Sequence, residues 1–427
     1  MSTRTVRSAR LLALLSLLGA APSATPAEPP ITVWIDQPRQ PMIDAYLKKF
    51  PEKAKLIKAV VVDREQLPAK VLLFNNTNQG WPDVVFAEPR LVGRVADAAH
   101  QFPLDLKPHV PAKVLEGFAG MAGCTFGDKV FCLRNDLAQF VIYYNEPLFE
   151  KFGYKVPATY EELQDLSDKV AKDHPGYLLG TWGDGWTFLS FFEGSGCPSH
   201  ELVNDNTIKI DVTDPRCVRA AKLVDHMVAN NTLWNTDYFD PTFVQQQNAG
   251  KVMMVPMASW AWGVFGGKPD STYYKTAEHQ LGVAPPLRWA SDAKAQTAAM
   301  GGAAWTVSRH TKNPKLATQL ITWITTAPEV WSTLPNYPAY RPIMELWQKQ
   351  VSGDPLFAND PFPVMKGAAD VISPLDKWPR FDLISPLTQV VKEAQKNKAS
   401  FEASLPKVAE QLAPLAEVQG YVVQVKK

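Results

Sequence analysis

The order of apolar segments in the first hundred residues constrains the fold more than any other feature. Ile31–Ile35 reads as a strand, Met42–Phe50 as an amphipathic helix, Ala59–Val62 as a strand and Leu67–Asn75 as a helix. Val84–Ala87 and Leu91–Ala99 repeat the unit. A short apolar run followed by a segment of helical period, three times over, predicts parallel strands with helices on their faces, an α/β fold. Later, Phe140–Tyr144, Tyr177–Thr181 and Ala303–Val307 read as strands, and Val218–Asn230, Phe239–Asn248 and Pro314–Thr325 as helices. Thr159 with Glu162 three residues on marks a capping box. The tail Leu387–Leu415 reads as helix interrupted at Pro406 and Pro414.

The N-terminus decides the compartment. Arg4, Arg7 and Arg10 precede the apolar Leu11–Leu18, and small residues follow to Ala27. This predicts a secretory signal peptide over 1–27, with cleavage after Ser23 as the alternative. No cysteine stands near the site, so the exported chain is expected to lack a lipid anchor. About 400 of the 427 residues remain, enough for two lobes. The 44 basic and 43 acidic side chains nearly cancel, which argues against a nucleic-acid partner.

In an export context, cysteines pair. Cys124 and Cys132 bracket a Gly127–Asp128 turn between short apolar arms, the pattern of a hairpin closed by a disulfide. Cys197 and Cys217 are then expected to pair with each other. No histidine stands at ligand spacing beside either pair, so neither a metal site nor a cofactor is expected.

The segment Gly250–Trp262 is the most informative for function. A small turn leads into a near-continuous apolar run that reads as a buried strand ending at Pro256. Trp260 and Trp262 follow, and large aromatics at a strand end either line a crevice or fill a core.

Five segments together resemble the bacterial extracellular solute-binding proteins of ABC transporters, the carbohydrate-binding branch. They are Pro82–Phe86; Tyr143–Tyr144–Asn145 with Phe149; Val156–Leu163; Gly250–Trp260; and Gly301–Gly302 with Ser308, Lys312–Asn313–Pro314 and Ala317. Glu146 departs from the lysine usual in the second. The resemblance implies two α/β lobes joined by crossing strands around a ligand cleft, with hinge closure. By that analogy residues 28–138 plus 292–338 form the N-terminal lobe and 139–291 plus 339–427 the C-terminal lobe. Hinges are expected near Asp136–Phe140, Ala284–Leu287 and Tyr337–Arg341. The implied role is that of a monomeric periplasmic component that delivers a sugar to inner-membrane permease subunits.

A sugar presents in-plane hydroxyls and an apolar ring face, so its site needs fork-like polar groups and aromatic rings. Where strands reach the expected cleft the chain offers Trp34, Asp36 and Gln37, then Glu88 and Arg90, then Asp136 and Gln139. Trp182, Asp184 and Trp186 sit among glycines that let backbone approach a ligand. Trp260, Trp262, Gly301, Gly302 and Trp378 complete the set, and Arg341 suits either a ligand contact or a hinge brace. Asp36 also fits a plain turn, whereas Trp182 and Trp186 in a polar loop look unlike core residues.

Rival classes leave weaker traces. An exported glycosidase would use the same residue types, yet nothing picks out an acid–nucleophile pair. Gly194–Ser195–Gly196–Cys197 is no nucleophile elbow. Gly266–Gly267–Lys268 hints at a phosphate loop, but Trp262 replaces its first glycine and Pro269 follows the lysine. A polyol, polyamine or sugar phosphate remains an alternative ligand.

Overall fold

The apolar runs of the N-terminal third become the centre of a five-stranded sheet. The computed structural model describes residues 28–97, 99–265, 275–374 and 377–426. The expected leader 1–27 and the Gly266–Lys268 turn lie outside the described residues. Strands β1 (Ile31–Ile35), β2 (Ile57–Val61) and β3 (Val84–Ala87) run parallel. Strand β12 (Ala304–Val307) returns late in the chain, antiparallel to β3, and β6 (Leu133–Arg134) closes the edge, in the order β2-β1-β3-β12-β6. Alternation along β1 sends Val33 and Ile35 to one face and Trp34 to the other. Helix 40–49 packs with helix 314–326 through Tyr46 and Trp323, whose ring centres lie 5.5 Å apart. Helices 67–77 and 89–95 cover the Trp34 face.

A second body is built on β7 (Phe140–Asn145), flanked antiparallel by β10 (Met254–Ala258) and β11 (Leu281–Ala284). The strand read as ending at Pro256 runs on through it, with Pro256 opposite Ile142. Because β10 is an edge strand, the missing N–H need not break a ladder bond. Residues 177–181 form no strand: the chain bends at Leu179 and touches its neighbours through single bridges at Leu178–Val252 and Thr181–Trp234. A smaller sheet joins β8 (Glu201–Asn204), β9 (Thr207–Ile210) and the C-terminal β13 (Val422–Val425).

Both disulfides form as expected, Cys124–Cys132 and Cys197–Cys217. The first closes the hairpin of β4 (Thr125–Phe126) and β5 (Lys129–Val130), turned by Gly127 at φ +59°. The second ties the 193–197 turn to the first turn of helix 215–229. The tail is two helices, 384–397 and 401–418, and both prolines lie inside the second. The break falls at Lys398, in the left-handed region, and Ser400 caps the new helix by accepting from the Ala403 N–H.

Three segments run side by side between the bodies. Asn135 N–H donates to Ala303 O at 2.8 Å, Met300 N–H to Ala138 O at 3.0 Å and Leu137 N–H to Tyr337 O at 3.2 Å. The middle crossing is thus at 298–303, beyond the expected Ala284–Leu287. Residues 285–292 are still bound to the second body: Trp289 Nε1 donates to Ser195 Oγ at 2.9 Å, and Arg219 pairs with Asp292 at 2.6 Å.

Helix 215–229 supplies a test of acid stability. Asp214 caps it, accepting from the Arg216 N–H and from that residue's guanidinium, each at 2.9 Å. The Arg216 side-chain bonds are the main reason its carboxyl titrates as low as about 2. A depressed folded pKa stabilises above the ordinary carboxylate range and ceases to as pH falls towards 2. Arg216 is half exposed, which weakens the pair, so the protein should exceed Asp214→Asn in stability by about 1 kcal/mol at pH 6. Urea melts should show that margin shrinking between about pH 5 and pH 2. A pH-independent margin would assign it to geometry alone.

Candidate functional site

The C-terminal ends of β1, β2 and β3 meet in an alternating chain of charge. Asp36 follows β1 and pairs with Arg64 at 3.1 Å; Arg64 also pairs with Glu88 at 2.6 Å. Glu88 occupies the N-cap position of helix 89–95 but makes no capping bond, which frees its carboxylate for this contact. Arg90, one residue into that helix, forks onto Glu65, one bond measuring 3.1 Å, and lies 3.9 Å from Glu88. Burial alone would lower the Arg90 pKa, but Glu65 and Glu88 hold it above the ordinary guanidinium value. Two buried atoms, Glu88 Oε2 and Arg90 Nε, have no hydrogen-bond partner among the described residues.

The facing wall comes from the second body. Trp186, in the first turn of helix 185–192, and Trp378 form a tilted aromatic pair 5.4 Å apart. Arg90 reaches across to the Trp378 ring at 5.9 Å. Glu88, Arg90, Arg134, Trp186, Gly301 and Trp378 thereby line one crevice. Its free volume is about 10 Å³, room for about one water. A wider cavity of about 750 Å³ adjoins the crossing segments, between Tyr337, Arg341 and Lys366.

The other expected residues are placed elsewhere, each for a visible reason. Trp34 is covered by helix 67–77, against Phe74, because strand alternation turns it from the opposite face. Asp136 is buried with both oxygens engaged, by Asn135 Nδ2 at 2.9 Å and Asn336 Nδ2 at 2.8 Å. Gln139 is fully buried, donating to Met365 O at 2.8 Å and accepting from Ser259 Oγ at 3.3 Å. Both residues clamp the crossing. Trp182, which looked unlike a core residue, is 2 % exposed among Phe188, Phe191, Phe192 and Phe401.

The glycines beside it serve the protein's own packing. A Cβ on Gly183 would fall on the Thr236 backbone and one on Gly185 would lie 2.6 Å from Ile384 O. Asp184 is the N-cap of helix 185–192, accepting from the Thr187 N–H at 2.8 Å, and burial raises its pKa. Trp262 is core, its Nε1 donating to Pro335 O at 2.8 Å. Trp260 is half-buried near Gly301, with Nε1 donating to Met300 O at 2.9 Å and its ring parallel to Phe239. Gly302 turns at φ +66°, where a Cβ would press on Arg134 at 2.5 Å. Gln37 is exposed on the turn after β1. Arg341 donates to Phe118 O at 3.3 Å, which is a brace.

Sequence reasoning missed Arg64, Glu65 and Arg134. The first two follow β2, so the rule that found Asp36 and Glu88 at strand ends would have found them. Arg134 is buried within β6, donating to Asp136 O and Gly120 O, and no local pattern marks it.

With this geometry in place, comparison with known proteins is direct. A family model for bacterial extracellular solute-binding proteins matches residues 42–359. The probable ABC transporter-binding protein of Deinococcus radiodurans is 25 % identical over 310 residues, 67 % of this chain and 68 % of its own length. The maltodextrin-binding protein MdxE of Bacillus subtilis is 22 % identical over 306 residues, 69 % of each. Among solved structures, the GacH receptor of Streptomyces glaucescens, determined unliganded and with acarbose, superposes with a TM-score of 0.70 at 20 % identity, over 91 % of this chain and 99 % of that one. The galacto-N-biose/lacto-N-biose I-binding protein of Bifidobacterium longum gives 0.74 at 16 % identity, over 92 % and 98 %. These likenesses establish the two-lobed fold, and the family match, over well above half of the sequence, establishes membership: the chain belongs to the bacterial extracellular solute-binding proteins.

Proposed function

We propose that this protein is the exported substrate-binding component of an ABC importer, which takes a mono- or oligosaccharide between its lobes and hands it to membrane permease subunits. The lobes are the body around the five-stranded sheet and the body around β7, with the middle crossing between them at 298–303 and not at the expected 292. The observation that carries the reading is the crevice of Trp186 and Trp378 facing Glu88 and Arg90, whose buried Oε2 and Nε have no hydrogen-bond partner among the described residues. Parting of the lobes would bare the rings as a stacking surface for a pyranose face and free this acceptor and donor for its hydroxyls. The named relatives are binding proteins, one for maltodextrin, and solved neighbours hold acarbose and lacto-N-biose. An N-terminal leader and a non-lipidated periplasmic form accord with this role.

A polyamine would need surplus negative charge around the rings, but Asp36, Glu88 and Glu65 are each paired with Arg64 or Arg90. The same pairing suits carboxylates that accept from hydroxyls better than a proton-donating glycosidase acid. The purified protein should bind one sugar per chain from an array of neutral sugars, polyols, polyamines and sugar phosphates. A micromolar Kd, about −8 kcal/mol, is within reach of such a site. Thermal shift and tryptophan emission should report binding, and chromatography should return the sugar unchanged. Turnover, or binding of a polyamine with no sugar bound, would reject the proposal.

A further inference from the structure

The two lobes also meet away from the crossing segments, turn against turn. In the first lobe the hairpin of β4 and β5 turns at Gly127–Asp128, and in the second the hairpin of β8 and β9 turns at Asp205–Asn206. Gly127 and Asp205 line one chamber of about 290 Å³, to which no residue of 135–139, 298–303 or 337–341 contributes. Contacts clear of a pivot exist in one arrangement of the lobes and are lost when the lobes rotate apart.

Each side is held by its own lobe. Cys124–Cys132 closes the first hairpin and packs with Val92 and Ala304. Val130 ties that hairpin to the preceding loop, its N–H donating to Asp105 Oδ1 at 3.1 Å and its O accepting from the Leu106 N–H at 2.7 Å. On the second lobe Lys377 Nζ pairs with Asp205 Oδ1 at 2.8 Å, and the Asn206 N–H donates to Asn204 Oδ1 at 2.9 Å. The Arg380 guanidinium lies 4.5 Å over the Tyr421 ring. Across the gap, a Cβ on Gly93 of the first lobe would lie 3.2 Å from the Phe126 ring and 3.6 Å from Arg380 Cγ, so Arg380 reaches the first lobe beside Phe126. The Lys377 bond is the main reason the Asp205 carboxyl titrates below its ordinary value. The Gly127 N–H, directed at that carboxylate from the other lobe, acts the same way.

We propose that these two turns form a latch: Asp205, steadied by Lys377, receives the Gly127 turn while Arg380 packs beside Phe126, and together they hold the lobes shut. The latch is independent of what the cleft binds. Lys377 directly precedes Trp378, so one segment carries both the latch and a wall of the crevice. With the lobes shut that crevice has room for about one water, so a ligand enters only after the latch parts. Asp205, Lys377, Phe126 and Arg380 are thus positioning residues that set the balance between shut and open forms.

The test needs no ligand. Nitroxides attached through an encoded ketone side chain at Lys48 and Lys169, both exposed on helices of opposite lobes, leave the disulfides intact. Double electron–electron resonance is recorded on the exported protein, freed of small molecules by unfolding in guanidinium and refolding. The unaltered protein should show one main distance. Asp205→Ala and Phe126→Ala should each raise the ratio of a second distance to the first about fivefold or more. Phe126→Tyr should not, and Lys377→Met added to Asp205→Ala should change little further, because both act on one contact. The Asp205 side chain is half exposed in a turn, so its arm stands even if loss of the Phe126 ring unsettles the hairpin. Melting temperatures are measured on the same preparations. A lowered melting temperature with an unaltered distance distribution would make these contacts merely structural and overturn the latch, as would equal shifts in Phe126→Tyr and Phe126→Ala.

Discussion

Trp186→Ala is expected to weaken sugar binding about a hundredfold while the unliganded protein keeps its stability to within about 1 kcal/mol. Trp186 is half-buried, and its ring neighbour is Trp378. The backbone beneath it is fixed independently: Asp184 and Thr187 exchange cap bonds at 2.8–3.0 Å, and Gly185 N–H donates to Thr388 Oγ1 at 2.9 Å. Truncation therefore removes a ring face without opening a core cavity. Titration calorimetry and thermal melts on one preparation check it. Unchanged affinity would remove Trp186 from the site, and a collapse in melting temperature would make it a core residue.

Trp182→Ala, four residues earlier, is expected to do the reverse. It should lower folding stability by about 3–5 kcal/mol, as large-to-small changes in packed aromatic cores do. The indole is enclosed by four phenylalanines, the nearest being Phe401 with ring centres 4.9 Å apart. Its backbone N–H is also bound, at 2.6 Å, to Trp234 O. Denaturant titration should show the loss, while ligand affinity of the remaining folded fraction stays near that of the unaltered protein. A stable variant with lost binding would return Trp182 to the cleft.

The contrast between these two tryptophans shows where local reading stops. Both lie in Trp182–Gly183–Asp184–Gly185–Trp186, and the glycines suggested a loop opened to a ligand. The structure uses Gly183 to admit the Thr236 backbone and Gly185 to admit Ile384, some 50 and 200 residues along the chain. Beside them Trp182 lies buried and Trp186 only half-buried. Asp136 and Gln139 are similar: their position at a crossing was legible, but not that Asn336 and Met365 would saturate them.

What the sequence determined by itself is whatever depends on neighbours a few residues away. Apolar periodicity placed β1, β2, β3, β7, β10 and β12 and most of the long helices, the Thr159–Glu162 box appeared as read, and cysteine spacing identified the first disulfide and left the second by elimination. Even the break in the tail has a local signal, since Ser400 is an ordinary N-cap. Only the tertiary structure decided which strand-end residues meet. The crevice joins Glu88 and Arg90 to Trp186 and Trp378, and the arginines find their carboxylates across different strands. Burial and ion pairing act through space, so a side chain's role is set by what the folded chain brings against it.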